Sequence, residues 1–482
     1  MRLALSPGTA VKKTLAVALA LAALAATVPA FAQSPIAIVG ATLVHPERDG
    51  AEAATPDATV VVEGTRIVAA GPSRATPVPA GAQVIEARGK WIVPGLVDAH
   101  VHFFQSGNLY TRPDVADFNA WMPYAEEAAR NRARLPATFK VWLASGVTSV
   151  VDIGGPFWNF EVRETAARTA AAPRVHVAGP LISMVDRPQL DLGDPPILKI
   201  TSPEEARALV RRELARKPDY IKVWYIHRKD DDLAAQEAIV RATAEVAHAA
   251  GVRLAVHATD LAVAKSALHA GADFLVHSVD DAPVDAEFLA LARANHALYC
   301  PTLFVTMGYR YALSNTWKPT QAERRLADPQ IVAAMGDLDR IPKEKVPERV
   351  AKLLAAPPEV KASEVMLANL RAVRDAGIPI AMGTDAGNIG TLHGPSVYRE
   401  MRLMAQAGLS PLEVLRAATV GGAMAMGMPK DLGTIEPGKL ADLLVLDADP
   451  LADVANLERI DRVMKDGRIF VPAELVRSIA SP

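Results

Sequence analysis

Short apolar runs alternate with helical stretches rich in Ala, Glu and Arg between about residues 98 and 400. The eight apolar runs are VDAHVHFF, VTSVVDIG, RVHVAGP, DYIKVWYI, RLAVHAT, DFLVHSV, ALYCPTLF and IPIAMGTDAG. Short runs of this kind are typical of buried strands, and strands that alternate with helices pair in parallel. Eight parallel strands are the number that closes a TIM barrel. The pattern therefore predicts an α/β fold with a (β/α)8 barrel over residues 93–430.

Both flanks of this region have β character. Residues 35–92 contain three β-branched, partly alternating segments, which are IAIVGATLV, ATVVVEGTRIVAAG and AQVIEARGKWIV. Residues 430–475 return to the same character in GKLADLLVLDAD and RIDRVMKDGRIFV. Such segments, broken by Gly and Pro, are typical of strands and hairpins. We therefore expect residues 33–92 and 431–482 to pair as one small β-sandwich domain built from both ends of the chain.

Residues 1–32 have the features of a secretory signal peptide. Basic residues precede the apolar stretch TLAVALALAALAATV, and small residues follow at Ala30 and Ala32. This order of segments is typical of a signal that is removed after export. The alternative is a single membrane anchor, but the apolar stretch is shorter than the ~20 residues that a span needs. We predict cleavage between Ala32 and Gln33, a periplasmic or secreted protein, and no stable membrane anchor after cleavage.

The composition excludes one class of partner and indicates the source of stability. The formal net charge of the 482 residues is −2, so we expect no basic surface that binds nucleic acid. Cys300 is the only cysteine, and an internal disulfide therefore cannot form. Hydrophobic residues make up 50% of the chain, which is enough to bury a large core. An exported protein of this composition must depend on that core for its stability.

Side chains that can bind a metal recur along the apolar runs. Residues two apart in a strand point to the same face, so His100 and His102 project together. The other runs supply Lys222, His257, His277 and Asp385. Each of them alone is better explained as a buried polar group that has a partner. Burying all of them around one axis without a metal would cost several kcal/mol for each unpaired group. The set therefore predicts one divalent cation or a pair of them at the carboxyl ends of the strands.

Lys222 is the unusual member of this set. A protonated ammonium, with a reference pKa near 10.4, repels divalent cations and cannot coordinate them. If the amine reacts with CO₂, it becomes a carbamate, which is an anionic ligand with two oxygens that can bridge two metals. This chemistry explains a lysine in such surroundings, and it favours two cations over one.

These motifs resemble those of the amidohydrolase superfamily, in the form that holds two metals and a carboxylated lysine. The matching motifs are VPGLVDAHVH, YIKVW, VHATD, LVHS, MGTDAG, HGPSVYREM and the C-terminal GTIEPGKLADLLVLDADPL. They extend over about residues 36–470, and the last of them is specific for the β domain of the superfamily. Within the superfamily, the chain is most similar to the imidazolonepropionase-related and Xaa-Pro-dipeptidase-like branch.

The resemblance implies a role for each ligand position. His100, His102 and Asp385 would hold the more buried metal, and His257 and His277 the more exposed one. Lys222, as its N6-carboxylated form, would bridge them. A bridging hydroxide is the expected nucleophile, and Asp385 would accept its proton and pass it to the leaving group. Such ligands suit Zn²⁺ best, and they also allow Mn²⁺, Co²⁺ or Fe²⁺.

Substrate contacts are expected in the loops that follow the strands. Tyr225, His227 and Arg228 follow the lysine on the fourth run and are candidates for binding a substrate carboxylate or carbonyl, and His393 follows Asp385. The segments 105–136 and 305–360 are long enough to shape specificity. Within the first of them we interpret Arg112, Trp121 and Tyr124 as part of a surface helix. Five histidines outside every motif are interpreted as structural, namely His45, His176, His248, His269 and His296.

The leading hypothesis is an exported metal-dependent amidohydrolase that opens an amide, dipeptide or cyclic-amide C–N bond of a small-molecule substrate. Three alternatives stay open. One is hydrolysis of a lactone, ester or phosphoester at the same site. Another is a deaminase with one metal, against which a bridging lysine argues. The last is a non-catalytic binding protein, against which the six filled ligand positions argue. Relatives in the superfamily commonly self-associate, so a homo-oligomer is compatible with the resemblance.

Overall fold

The computed structural model describes residues 34–480, and the predicted signal peptide lies outside this range. The strands are β1 (Ile36–Val44), β2 (Ala54–Glu63), β3 (Arg66–Pro72), β4 (Gln83–Glu86), β5 (Trp91–Pro94), β6 (Leu96–Val101), β7 (Val147–Asp152), β8 (Arg174–Val177), β9 (Leu181–Ser183), β10 (Ile197–Lys199), β11 (Tyr220–Trp224), β12 (Arg253–His257), β13 (Phe274–Val276), β14 (Leu298–Cys300), β15 (Leu443–Leu446), β16 (Ile460–Lys465) and β17 (Arg468–Phe470).

Helices follow most of the strands in the middle of the chain. The α-helices are α1 (Tyr124–Ala133), α2 (Leu135–Ala144), α3 (Asn159–Arg168), α4 (Pro203–Leu214), α5 (Leu233–Ala249), α6 (Leu261–His269), α7 (Ala286–Ala294), α8 (Val305–Leu313), α9 (Gln321–Leu326), α10 (Pro329–Ala334), α11 (Glu348–Ala355), α12 (Glu364–Asp375), α13 (Ser396–Gln406), α14 (Pro411–Arg416), α15 (Gly422–Ala425) and α16 (Pro472–Ala480). Within residues 34–480, no helix combines the length and the apolar character that crossing a membrane requires.

Seven of the eight apolar runs form strands that pair in parallel. The first three form a sheet in the order β6-β7-β8, and the next four lie in a sheet in the order β10-β9-β11-β12-β13-β14. A single parallel bridge, between Ala178 and Tyr220, links the two sheets. The middle of the chain is therefore a mixed α/β fold in which the strands of the seven runs follow the order of the sequence, while β10 lies outside β9 at the edge of its sheet.

The eighth run is not a regular strand, although its backbone contacts the strands on both sides. Ile380 bridges Tyr299 of β14, and Ala386 bridges Val101 of β6. Between them, Thr384 donates its backbone N–H to Asp98 Oδ1 over 3.0 Å and its hydroxyl to Asp98 Oδ2 over 2.6 Å. Side-chain acceptors on β6 thus replace part of the regular strand pairing, and the run follows β6 through these bonds.

Strands from both ends of the described chain share a third sheet, which is largely antiparallel. Its order is β17-β16-β15-β5-β1-β2-β3, with β4 beside β1. The junction between the two ends is β15 against β5, where Leu443 faces Pro94 and Leu446 faces Trp91. Buried apolar residues on these strands, such as Ile38 and Val60, form one cluster beneath the sheet. The flanking β segments therefore meet in space, and their exact domain boundaries stay a prediction.

Candidate metal centre

A cavity of about 220 Å³, which we call the inner cavity, lies at the carboxyl ends of the parallel strands. All six of the side chains predicted as ligands line it, namely His100, His102, Lys222, His257, His277 and Asp385. In the sequence these residues extend from position 100 to position 385, so only the order of the strands brings them together. The convergence agrees with the expectation that each stands at or near the end of its strand.

His100, His102 and Asp385 form the tightest group in the inner cavity. The Nε2 atoms of the two histidines are 3.3 Å apart. Oδ1 of Asp385 lies 3.2 Å from Nε2 of His100 and 3.1 Å from Nε2 of His102. The i and i+2 positions on β6 thus place both imidazoles on one face, as the strand period requires.

His257 and His277 lie beside this group. Their ring centroids are 4.3 Å apart, and the centroid of His277 is 4.8 Å from that of His100. One potential ligand atom each from His100, His277 and Asp385 lies within 4.8 Å of the others, and all three residues are buried. These separations are small enough for the groups to share one cation or to bind neighbouring ones.

Lys222 lies on the inward face of β11, with 1% of its surface exposed. Its Nζ atom is buried and has no hydrogen-bond partner within residues 34–480. Burial lowers the pKa of the amine to about 7. An unpaired buried ammonium is costly, so this nitrogen needs a further group that the side chains around it do not provide.

The protonation states of the histidines and of Asp385 in the inner cavity are those that bind a cation. Burial lowers the pKa of His257 to about 3 and that of His100 to about 4, and it brings the pKa of His277 well below its ordinary value. Burial acts to raise the pKa of Asp385, but His100 and His102 outweigh it and hold that pKa well below the ordinary value. At neutral pH the cavity therefore presents imidazole lone pairs and a carboxylate, which fit a divalent cation such as Zn²⁺.

Hydrogen bonds behind these side chains fix their orientation. Nδ1 of His102 lies 2.7 Å from the carbonyl oxygen of Gly154, and Nδ1 of His277 lies 2.7 Å from Oγ1 of Thr302. Partners of this kind on the far ring nitrogen orient metal-binding imidazoles and leave the other nitrogen free. On β6, Asp98 accepts the backbone N–H of His100 and thereby ties that residue to the eighth run.

The backbone is unusual at two of the predicted ligands. His277 has a φ of +77° and Asp385 a φ of +61°. Residues other than glycine seldom occupy this left-handed region, and such conformations cluster at functional sites, where each costs about 1–3 kcal/mol. The fold therefore holds these two side chains in place at a cost, which is consistent with a functional role.

The candidates for substrate binding after β11 do not line the inner cavity. The Tyr225 hydroxyl lies 3.0 Å from Oγ of Ser266, on the far side of the strand from Lys222. Nδ1 of His227 lies 2.8 Å from Oε1 of Gln236, and the Arg228 side chain is exposed. Instead, Trp224 lines the cavity, because it is two residues from Lys222 and shares its face. The alternation of side chains along β11 is the sequence signal that could have identified Trp224.

His393 is also absent from the wall of the inner cavity. Its Nε2 lies 2.8 Å from the carbonyl oxygen of Gln105. Its ring stacks on Phe103 at a centroid distance of 5.4 Å, with Trp142 against its edge. The structure thus places this histidine in the packing between the eighth run and the loop after β6.

Arg112 is the main residue of the wall that the sequence interpretation missed. It lies in a loop before α1, not in a surface helix, and its side chain is 14% exposed. It forms a bidentate pair with Asp114, with both N–O distances 2.7 Å, and its Nη1 donates to Asn388 and to Tyr309. Trp121 and Tyr124 do not line the cavity, and neither do the five histidines interpreted as structural.

Comparison with known proteins gives one family. The model of the amidohydrolase family matches residues 91–470. The imidazolonepropionase of Shouchella clausii (strain KSM-K16) is 41% identical over 108 residues, which cover 22% of this chain and 24% of that protein. The imidazolonepropionase of Geobacillus kaustophilus (strain HTA426) is 25% identical over 450 residues, covering 86% of this chain and 90% of that one.

A solved structure extends the likeness to three dimensions. A prolidase complexed with N-methylphosphonate-L-proline has a TM-score of 0.67 and 25% identity, and the match covers 91% of this chain and 100% of the prolidase. The family match spans the parallel strands and four of the eight strands of the largely antiparallel sheet. The chain therefore belongs to the amidohydrolase family, in its imidazolonepropionase- and prolidase-like branch, and is a hydrolase of carbon–nitrogen bonds.

Proposed function

We propose that the protein is an exported amidohydrolase with two metals that cleaves the amide bond of an N-acyl amino acid or dipeptide. The observation that carries the proposal is the convergence of the six predicted ligands on one cavity, with the Lys222 nitrogen buried among them and unpaired. We further propose that the eight apolar runs close one TIM barrel. The bridges of the eighth run to β14 and to β6 support this closure.

In this proposal each side chain has one task at the metal centre. His100, His102 and Asp385 would hold one cation, His257 and His277 would hold the other, and Lys222 as its carbamate would supply a ligand to both. When bound, the cations polarise the scissile carbonyl and lower the pKa of a water molecule from 15.7 to about 7. The neutral imidazoles and the ionised carboxylate described above support these assignments.

Asp385 is proposed as the group that moves the proton. Its Oδ1 faces the imidazoles of His100 and His102, which leaves Oδ2 to accept a proton from the attacking water. The same oxygen then delivers the proton to the leaving amine nitrogen, so that the carboxylate is restored at the end of the cycle.

Carboxylation of Lys222 follows from its surroundings. The neutral amine attacks the carbon of CO₂ and releases one proton, and the product is a carbamate whose single negative charge is shared by its two oxygens. Burial favours the neutral amine, since it brings the pKa of Lys222 to about 7. The carbamate also replaces a buried cation with a ligand that the neighbouring metals would neutralise.

A hydrolysis screen tests the proposed activity. The mature protein, reconstituted with Zn²⁺ or Mn²⁺, is tested against dipeptides, N-acyl amino acids, cyclic imides, lactones and phosphoesters. We expect turnover of at least one amide-containing set above that of the lactones and phosphoesters. Preferred turnover of a lactone would shift the assignment to C–O bond hydrolysis, and metal-loaded protein without any turnover would favour a non-catalytic binding role.

Export is a separate proposal, and it rests on the sequence of residues 1–32. When residues 1–482 are produced in a bacterial host, we expect a mature form in the periplasm or medium that begins at Gln33. Mass spectrometry of the intact protein gives the cleavage point. A full-length chain that sediments with membranes would support the anchor instead.

A further inference from the structure

A second cavity, which we call the outer cavity, adjoins the inner one. It has a volume of about 900 Å³, and three residues line both cavities, namely Arg112, Thr306 and Tyr309. At about 220 Å³, the inner cavity is smaller than the roughly 300–1,000 Å³ of most small-molecule sites. A substrate larger than a short dipeptide must therefore extend past Arg112 and Tyr309 into the outer cavity.

Two helices give the outer cavity an apolar wall. On α8, Tyr309 and Leu313 are four residues apart and lie on one face. Leu353 of α11 lines the cavity opposite, and Pro358 follows that helix. The neighbouring Val350 is fully buried in a cluster that also contains Leu313, which holds α11 against α8. The wall is therefore part of a packed core and is preformed.

The rim of the outer cavity is cationic. Arg310 of α8 and Arg349 of α11 line it, and both side chains are exposed. Neither guanidinium group forms a hydrogen bond or ion pair with another side chain in the described chain. Lys352 also lines the cavity and pairs with Glu348 at 2.6 Å. None of the described residues that line the outer cavity is acidic. Arg112 and Lys352 are paired with carboxylates outside the lining, and Asp280 acts on Arg310 from a distance, so Arg310 and Arg349 are the cations left without a direct carboxylate partner in the described chain.

We propose that the outer cavity binds the part of the substrate remote from the scissile bond, and that this part is an apolar group ending in a carboxylate or another anion. This inference rests on the proposed amidase function and adds a substrate class to it, namely amino acids N-acylated with a long, anionic acyl group. The apolar group packs between α8 and α11, and the anion lies between Arg310 and Arg349. Arginine suits this role because its planar donors match a carboxylate.

The test uses three substrates that share one leaving amino acid, chosen from the screen above. Their acyl groups are acetyl, decanoyl, and decanoyl with a terminal carboxylate. For the wild-type holoenzyme we expect kcat/KM to rise in that order, by about tenfold or more in total. In the double variant Arg310→Ala/Arg349→Ala, the preference for the anionic over the neutral long chain should fall about tenfold, mainly through KM. Turnover of the acetyl substrate should stay within about twofold of wild type.

A matched control removes a cation elsewhere on the same segment. Lys361 is exposed, pairs only with Glu359 and does not line the cavity, so Lys361→Ala should leave all three rates unchanged. Unchanged anion preference in the double variant would overturn the inference. So would an equal loss on all three substrates, because that result indicates damage to the metal centre.

Direct binding separates this inference from the proposed function. Titration calorimetry compares decanoate with decanamide on the wild-type holoenzyme and on the Arg310→Ala/Arg349→Ala variant. We expect decanoate to bind more tightly than decanamide to the wild type, and the variant to lose that difference. If decanoate shows this pattern but no amide is hydrolysed, the proposal that the outer cavity binds an anion is supported and the amidase proposal is wrong. If amides are hydrolysed but decanoate and decanamide bind equally tightly, the anion-binding inference is wrong and the amidase proposal is unaffected.

Discussion

Lys222→Ala is expected to reduce kcat/KM by about 10³-fold or more. The variant loses the ligand proposed to lie between the two cations, and metal stabilisation of the transition state contributes several kcal/mol, at 1.36 kcal/mol for each tenfold in rate. The protein itself should fold normally, because Lys222 Nζ makes no hydrogen bond that the substitution could break. Activity is measured on the best substrate of the screen, and folding by thermal unfolding of the metal-free protein.

A short carboxylate is expected to restore part of this activity. Formate, acetate or propionate has the two-oxygen head of a carbamate and is small enough for the space that the lysine chain leaves. We expect the rate of Lys222→Ala to rise with the concentration of the carboxylate and then to saturate, whereas the wild type should not respond. Wild-type activity in the variant without any added carboxylate would contradict the bridging role.

Lys465 provides a control for Lys222, because its substitution should reduce stability without reducing catalysis. It is also a buried lysine, but it lies on β16, its Nζ is 3.7 Å from Oδ1 of Asp442, and it also pairs with Asp466. Lys465→Ala leaves Asp442 buried with fewer partners, so it should lower the free energy of unfolding by roughly 3 kcal/mol. Its kcat per folded molecule should match that of wild type. The two lysine variants thus separate loss of stability from loss of catalysis.

Asp385→Asn is expected to lower kcat by about 10³-fold, within the 10²- to 10⁴-fold range of general acid–base catalysis. An amide keeps the size of the carboxylate and one oxygen, but it cannot accept the proton that Oδ2 is proposed to take. The loss should appear mainly in kcat, measured with saturating metal so that weakened metal binding does not contribute. The exposed Asp281 lies outside the inner cavity, and Asp281→Asn should retain wild-type kcat. A wild-type kcat in Asp385→Asn would show that another group moves the proton.

Strand patterns indicated which side chains meet in the inner cavity, because those patterns depend on local geometry. Alternation in β6 places His100 and His102 on one face, and Lys222, His257 and His277 lie on or directly after strands. The carboxyl ends of parallel strands meet at one edge. Locating the strands in the sequence was therefore enough to predict that these residues lie close together. The eighth run departs from a regular strand because Asp98 bonds Thr384, and the apolar pattern does not reveal that contact between distant residues.

The side chains predicted to contact substrate lie outside the lining of the inner cavity, and two physical reasons explain how that lining differs from the prediction. Tyr225 is three residues after Lys222, so strand alternation turns it to the opposite face, where it meets Ser266. The same alternation places Trp224 in the lining of the inner cavity, so the sequence could have indicated this residue. Arg112 was not predictable in this way. It lies in a loop, where side chains do not alternate regularly between two faces. Its bonds to Asp114 and to the distant Tyr309 and Asn388 hold it in the wall.

Counting the metals tests the central claim most directly. The mature protein is reconstituted with zinc, freed of loosely bound ions by gel filtration, and measured by plasma mass spectrometry alongside amino-acid analysis. The account predicts two zinc ions for each folded wild-type chain. One ion for each chain at full activity would contradict the shared site and would favour the deaminase type of centre, and none at full activity would contradict a metal centre altogether.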